Sequence, residues 1–175
     1  RAILETLYSC GLRVSELVTL KLSDLYFDEG FIKVEGKGNK QRLIPISPRA
    51  INEIKLYFTD RNQIEVKSGH EDFVFISLRR GKRLSRIMIF HMIKELAQQA
   101  SITKNISPHT FRHSFATHLL EGGANLRAIQ CMLGHESIAT TEIYTHIDRN
   151  VLRSEIIEHH PRNIKYRKEK ESLFH

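Results

Sequence analysis

The residues whose types are best suited to chemistry lie in the segment 107–146, which reads S-P-H-T-F-R-H-S-F-A-T-H-L-L-E-G-G-A-N-L-R-A-I-Q-C-M-L-G-H-E-S-I-A-T-T-E-I-Y-T-H. His109, Arg112, His135 and Tyr144 each stand near an end of a predicted helix. Two basic residues at a helix N-terminus, such as His109 and Arg112, favour a phosphate or oxyanion site, because the free N–H groups and the helix dipole already attract negative charge. Either residue alone is more often an ordinary solvated side chain, so the interpretation depends on the rest of the chain.

Three short helices separated by glycines are predicted to position these residues. The first is capped by Ser107 and ends at a glycine pair. The second, predicted at 125–133, ends at Gly134, because glycine readily adopts the left-handed conformation that terminates a helix. A third helix, capped by Ser137, carries Tyr144.

The first quarter of the chain supplies an arginine and a lysine that can join this set. Arg13 stands at the junction of two predicted helices, and Glu16 lies on the same helical face, where it can orient the guanidinium. Lys37 lies between two glycines, in a turn that joins predicted strands at 31–35 and 42–46. A lysine on such a flexible tip can move into a site when a ligand binds, although a turn lysine is more often simply solvated. An R-x-x-E pair such as Arg13 and Glu16 is likewise more often a surface ion pair of little energetic value.

The remaining patterns predict the fold class. Helical periodicity is present at 2–10, 48–58, 85–99 and 148–160, and a short apolar run at 73–76 favours a third strand. We therefore expect an α+β domain that is mostly helical with a small three-stranded antiparallel sheet.

Composition limits the compartment and the partners. The 175 residues fit one compact domain, and a net charge of +7 favours a polyanionic partner. Cys10 and Cys131 lie in apolar helical patterns, which favours buried thiols, although the sequence leaves a disulfide open. No C-x-x-C pair supports a zinc site, and no apolar run or signal peptide points to a membrane. We expect no metal, no cofactor and no membrane partner, and a cytoplasmic location.

At this point the sequence resembles the catalytic domain of tyrosine recombinases, and it is most similar to the Xer-type branch of the phage integrase family. The similarity covers residues 2–161 and rests on the motifs G-L-R-V-S-E-L, G-K-G-N-K-Q-R-L-I-P, H-T-F-R-H-S-F-A-T-H-L, L-G-H and Y-T-H. Each motif is weak alone, but five in order at family-like intervals are highly specific. The resemblance implies a catalytic set made up of Arg13, Lys37, His109, Arg112, His135 and Tyr144. Glu16 is the supporting acidic residue of this set.

The resemblance also implies an activity. The expected enzyme is a site-specific recombinase that cleaves and rejoins DNA strands through a covalent 3′-phosphotyrosyl intermediate. Tyr144 would be the nucleophile, Lys37 the general acid on the leaving 5′ oxygen, and His109 would assist proton movement at the tyrosine. His135 would donate a hydrogen bond to the phosphate, while the two arginines of the set bind its non-bridging oxygens.

The expected partners follow from the same resemblance. Double-stranded DNA is the substrate, and the protein forms a homo- or hetero-tetramer on it during synapsis. Without DNA, a monomer is compatible with the sequence. Phosphate contacts outside the catalytic set are assigned to a turn lysine and a basic cluster, namely Lys40, Arg79, Arg80, Lys82 and Arg83.

The expected domain organisation assigns residues 1–161 to the catalytic domain and residues 162–175 to a mobile basic tail. The N-terminal DNA-clamping domain of the family is absent from this sequence, which begins within a helical pattern and is expected to be an excised domain. We expect the helix at 148–160 to pack against a neighbouring protomer, because family members exchange a C-terminal element. Folding back onto its own domain is nearly as compatible with the sequence.

Three alternatives compete with this interpretation. His109 and His113 resemble half of a zinc site, which raises a metal-dependent nuclease, but the glutamate of H-E-x-x-H is missing. A non-enzymatic DNA-binding module would not need the complete catalytic set. A type IB topoisomerase shares the tyrosyl chemistry, and the motifs favour the recombinases over it.

Overall fold

The chain folds into eight described helices around a small sheet in a computed structural model that describes residues 1–134 and 149–172. The strands are β1 (Leu25–Tyr26), β2 (Phe31–Glu35) and β3 (Gln41–Pro45). The helices are α1 (Ala2–Cys10), α2 (Val14–Thr19), α3 (Pro48–Arg61), α4 (Arg86–Gln99), α5 (Pro108–Glu121), α6 (Leu126–Leu133), α7 (Arg149–His159) and α8 (Pro161–Ser172). The prediction of a mostly helical α+β domain with a three-stranded antiparallel sheet is confirmed.

The sheet has the order β1-β2-β3 with antiparallel neighbours. In the β2–β3 hairpin Ile32 pairs with Ile44 and Val34 pairs with Arg42. The Ile32 and Ile44 side chains are fully buried, so the hairpin contributes one apolar face to the core and carries Lys37 at its tip.

The prediction of the third strand at 73–76 is wrong, because β1 occupies that place in the sheet. Phe73 and Ile76 form only isolated bridges, with Lys21 and Arg83. Val74, Phe75 and Ile76 are nonetheless buried, and Tyr57 Oη both donates to the carbonyl of Ile76 and accepts from its N–H. The apolar run signalled burial correctly, but a side chain supplies the hydrogen bonds that a strand partner would have made.

Close packing between α1 and α5 brings the two halves of the chain together. Gly11 ends α1 with φ +60°, and a Cβ at this position would overlap the ring of Phe115 on α5. Phe115 is fully buried in a second, smaller core with Leu119 of α5 and Met132 of α6. The larger core is built mainly from α1, α2, α3, α4 and the sheet.

The helix α7 packs against its own chain in this structure of a single protomer, and its contact with a neighbouring protomer on DNA stays a prediction. Leu152 and Ile156 are buried in the smaller core, at 5% and 1% exposure, while Val151 remains 46% exposed. The competing interpretation, in which the helix folds back, agrees with the structure.

The segment expected to form a basic tail continues as helix α8 through Ser172. Its first turn is tied to α1, because Arg162 donates from Nε and Nη2 to both carboxylate oxygens of the buried Glu5, at 3.1 and 2.6 Å. Asn163 is also buried and donates to the carbonyl of Ile156. A low apolar content led to the expectation of a tail, whereas polar contacts to distant residues dock this turn. Across residues 1–134 and 149–172, no helix is long and apolar enough to cross a membrane.

Candidate active site

Arg13 is the N-cap residue of α2 and is held by Glu16, as the R-x-x-E spacing predicts. The backbone N–H of Arg13 donates to Glu16 Oε2 at 2.8 Å, and its Nη1 donates to Oε1 at 3.0 Å. Glu16 is 2% exposed, while the Arg13 side chain is 38% exposed. The buried carboxylate therefore orients a guanidinium that still reaches solvent.

Arg112 is held by two backbone carbonyls from other parts of the chain. Its Nη1 donates to Gly11 O and its Nη2 to Leu133 O, both at 2.6 Å. Burial lowers the pKa of Arg112 to about 10, and the positive charge of Arg13 contributes in the same direction. The guanidinium remains protonated at neutral pH, and the negative charge of Glu16 offsets only part of the effect of burial.

The two arginines meet at the C-terminal end of α6. Arg13 Nη2 lies 3.4 Å from Gly134 O, one residue beyond the carbonyl that Arg112 contacts. Gly134 ends α6 with φ +63°, and Asn125 caps the start of α6 by accepting from the N–H groups of residues 127 and 128. The predicted boundaries of α6 are confirmed to within one residue, and they place Leu133 and Gly134 of the L-G-H motif beside both arginines.

The sequence analysis missed Arg42, which is central to this arrangement. Arg42 donates from Nη1 and Nη2 to the two oxygens of Glu16, at 2.8 and 3.1 Å, and from Nε to Met132 O at 2.9 Å. Burial opposes ionisation of Glu16, but the hydrogen bonds and charge of Arg42, together with the hydrogen bonds from Arg13, outweigh it and lower the Glu16 pKa. A signal was present, because Arg42 shares a strand face with the fully buried Ile44, where a charge needs a partner.

His109 lies in the first turn of α5 and is exposed. Ser107 occupies the N-cap as predicted, and its N–H donates to Thr110 Oγ1 at 3.0 Å. The His109 side chain makes no hydrogen bond or ion pair with any residue that the structure describes. His113, one turn later, is exposed as well. The first turn of α5 therefore presents His109 to solvent beside the helix N-terminus.

The hairpin tip is a single 3₁₀ turn, Lys37–Asn39, with positive φ at Gly38 (+72°) and Asn39 (+57°). Its base lies against the Arg42–Glu16 pair, since a Cβ on Gly36 would be 3.3 Å from Arg42 Nη1. His135, Tyr144 and the predicted third helix lie outside the described residues.

A groove of about 640 Å³ extends from Arg13 along α2 and the sheet. Its basic lining residues include Arg83, whose guanidinium lies 4.9 Å from the Phe73 ring centroid, together with Lys21 and Lys33. Lys33 pairs with Asp24 at 3.0 Å. The sequence analysis missed both lysines, which lie in unremarkable surroundings in the chain.

The predicted basic cluster is brought only in part to this groove. Arg83 lines it, whereas Arg79, Arg80 and Lys82 are exposed in the adjoining turn and are not among its lining residues. Lys40 is exposed at the end of the hairpin tip. In the part of the chain that the structure describes, no three His, Cys, Asp or Glu residues group as metal ligands, so the nuclease alternative finds no supporting cluster there.

Sequence relatives point to one family. Residues 1–150 match the phage integrase family. Tyrosine recombinase XerD of Staphylococcus saprophyticus is 49% identical over 163 residues, which is 93% of this chain and 55% of the relative. XerD of Pseudomonas aeruginosa is 48% identical over 162 residues, 93% of this chain and 54% of the relative. The chain thus spans about half the length of these curated relatives.

Solved structures agree with the sequence relatives. The crystal structure of XerA recombinase is similar with a TM-score of 0.70 and 38% identity, over 91% of this chain and 57% of that one. A post-cleavage complex of XerH recombinase with a palindromic difH substrate is similar with a TM-score of 0.68 and 28% identity, over 90% of this chain and 44% of that one. The resemblance to Xer-type tyrosine recombinases is confirmed. With its arginine pair in place and Xer recombinases among both its sequence and its structural relatives, the chain belongs to the phage integrase family.

Proposed function

We propose that this chain is the catalytic part of a site-specific recombinase, which cleaves and rejoins double-stranded DNA through a covalent 3′-phosphotyrosyl intermediate. The observation that carries the proposal is the convergence of Arg13 and Arg112 at the end of α6. Their position beside a groove with basic residues, in a chain of the phage integrase family, gives the pair a phosphate as its natural ligand.

The hydrogen bonding of the two arginines leaves capacity for such a ligand. A guanidinium has five N–H groups, and contacts within the described residues occupy two on Arg13 and two on Arg112. In-line attack on a phosphodiester builds negative charge on the non-bridging oxygens. Donors that are already oriented stabilise this charge most, because they need no reorganisation during the reaction.

The electrostatics of Arg112 favour an anion in the same place. Burial and the neighbouring Arg13 charge both make its protonated form less stable, which is why its pKa falls to about 10. A phosphate between the two arginines would supply the missing negative charge. Part of the free energy of burying Arg112 would thereby be recovered when DNA binds.

The other roles rest on the positions that match the family motifs. Tyr144 attacks the phosphorus, and Lys37, on the hairpin tip, protonates the leaving 5′ oxygen. His109 assists proton movement at the tyrosine, and its exposed position in the first turn of α5 is compatible with that role. His135 donates a hydrogen bond to the phosphate, and its neighbour Gly134 already contacts Arg13.

The proposed partners are duplex DNA and further recombinase protomers, in a homo- or hetero-tetramer that assembles on the DNA in the cytoplasm. The DNA bound to the similar XerH recombinase supports duplex DNA as the substrate. Residues 1–161 form the proposed catalytic domain. Lys40, Arg79, Arg80, Lys82 and Arg83 contribute phosphate contacts, with Arg83 acting in the groove beside Arg13.

Covalent capture of DNA tests the proposed function. DNA trapped on the intact protein is sequenced to define its site, and a nicked suicide duplex of that sequence is then incubated with wild type, Tyr144→Phe and Tyr26→Phe. Tyr26 is an exposed control on β1. Wild type and Tyr26→Phe should give a slow protein–DNA band on a denaturing gel, whereas Tyr144→Phe should bind the duplex without forming it. A covalent band from Tyr144→Phe, or none from wild type, would refute the proposal.

A further inference from the structure

Three arginines from different parts of the chain converge on the C-terminal end of α6. Three consecutive carbonyl oxygens accept one hydrogen bond each, Met132 O from Arg42 Nε at 2.9 Å, Leu133 O from Arg112 Nη2 at 2.6 Å and Gly134 O from Arg13 Nη2 at 3.4 Å. The last carbonyls of a helix have no intrahelical partners and carry partial negative charge. The end of α6 is therefore the common reference point for all three guanidinium groups.

Arg42 differs from the other two because it also contacts Glu16 with both terminal nitrogens. Glu16 in turn holds Arg13 through the backbone and the side chain. Arg42 thus connects Arg13 to the end of α6 by a chain of short, charge-assisted hydrogen bonds, whereas the direct contact of Arg13 with Gly134 is long. The Arg42 side chain is only 16% exposed, and Nε, Nη1 and Nη2 all donate to protein acceptors, so it is placed to orient other groups and not to bind DNA itself.

The backbone at the end of α6 is shaped to receive Arg42. A Cβ on Gly134 would lie 3.1 Å from each of Cζ, Nε and Nη1 of Arg42, so the guanidinium packs directly against this glycine. Gly134 also has φ +63°, a conformation that other residues adopt at a cost. Gly134 immediately precedes His135 in the sequence, and its position therefore bears on a proposed phosphate ligand as well.

We propose that Arg42 is a positioning residue for the reaction. This proposal rests on the function proposed above. Arg42 fixes the position of Arg13 relative to Arg112 and the end of α6, so that both arginines bind one phosphate. A planar guanidinium can make these three bonds at once, whereas a lysine ammonium cannot reproduce the fork that meets Glu16. The Arg42→Lys variant therefore keeps the charge and loses the geometry.

The test compares Arg42→Lys with a matched control, Arg162→Lys. Arg162 makes a similar two-point contact with a buried carboxylate, that of Glu5, but it does so at the docking point of α8 on α1. Single-turnover cleavage of the suicide duplex is measured with saturating intact protein. We expect Arg42→Lys to slow cleavage roughly 100-fold, since small displacements of reacting groups have effects of this order, and Arg162→Lys to stay within a few-fold of wild type.

A second substrate separates positioning from general loss of structure. A methylphosphonate at the scissile position replaces a charged non-bridging oxygen by a methyl group, which removes negative charge that Arg13 would offset. If Arg42 acts through Arg13, the deficit of Arg42→Lys relative to wild type should shrink by about tenfold on this substrate. A variant that is merely less well folded would show the same deficit on both substrates.

The outcomes distinguish the inference from the function on which it rests. Wild type that forms no covalent adduct would overturn the proposed function and the positioning role together. If Arg42→Lys cleaves at the wild-type rate, the positioning role alone would be overturned. The same holds if its deficit in cleavage rate is unchanged on the methylphosphonate substrate. Should Arg42→Lys fail to fold, Arg42→Gln replaces it, because its neutral amide can still donate one hydrogen bond to Glu16, and the same loss and the same shrinkage are expected.

Discussion

Acid should destabilise this fold through His160, which lies between α7 and α8. Its side chain is fully buried, with ring centroids 4.7 Å from Tyr8 and 5.8 Å from Phe115. Nδ1 accepts the N–H of Arg162 at 3.3 Å, and Nε2 has no hydrogen-bond partner within residues 1–134 and 149–172. Burial, reinforced by the charges of His118 and Arg162, lowers the His160 pKa from 6.5 to about 4. Protonation would bury a charge and convert the acceptor of the Arg162 N–H into a donor.

The magnitude follows from the two pKa values. Because the folded-state pKa is the lower one, the unfolded chain takes up the proton first as the pH falls. The stabilisation is therefore complete above pH 6.5 and is lost between that pH and about pH 4. With about 1.4 kcal/mol for each pKa unit, the loss reaches roughly 2 kcal/mol at pH 5 and about 3 kcal/mol below pH 4.

Urea unfolding at pH 7.5 and pH 5 measures this loss. Wild type also loses stability from carboxylates such as Glu5, whose pKa is lowered on folding because its contacts with Arg162 outweigh the opposing effect of burial. The comparison with His160→Gln isolates the histidine, since that variant should lose about 2 kcal/mol less than wild type over this range. His91→Gln, at an exposed position on α4, should keep the wild-type pH dependence. Equal losses in wild type and His160→Gln would refute the reasoning.

Two further predictions concern the site. Replacing Lys37 with alanine should slow cleavage of ordinary DNA far more than cleavage of DNA with a 5′-bridging sulfur, because a thiolate leaves without a proton. The control Lys40→Ala should show no such rescue by sulfur. If sulfur rescued neither variant, or Lys40→Ala alone, the general-acid role of Lys37 would be contradicted. In urea unfolding, Gly134→Ala should lower the free energy of unfolding by more than the roughly 1 kcal/mol expected for positive φ alone, because the alanine Cβ would lie against Arg42. Gly69→Ala, at φ +81° with nothing within 4 Å, measures the conformational cost by itself, and equal losses would show that the Arg42 contact is unimportant.

Local interactions made much of this protein predictable from its sequence. The glycines that end α1 and α6 have positive φ, Asn125 caps α6, and Arg13 contacts Glu16 one helical turn away. Each of these features involves residues at most four positions apart, so composition and spacing contain the necessary information. The motifs added the family resemblance, and with it the set of candidate catalytic residues.

Tertiary structure decided the features that depend on distant partners. In the sequence, Arg42 resembles an ordinary strand residue, and only the fold brings it into contact with Glu16 and Met132. The run at 73–76 likewise has the pattern of a strand, but in the fold Tyr57 hydrogen-bonds to its backbone. A tail-like composition after residue 161 hides the contact of Arg162 with Glu5. Buried charges and backbone groups must find partners wherever the fold provides them. The identity of those partners is set by long-range packing, which residue spacing along the chain does not encode.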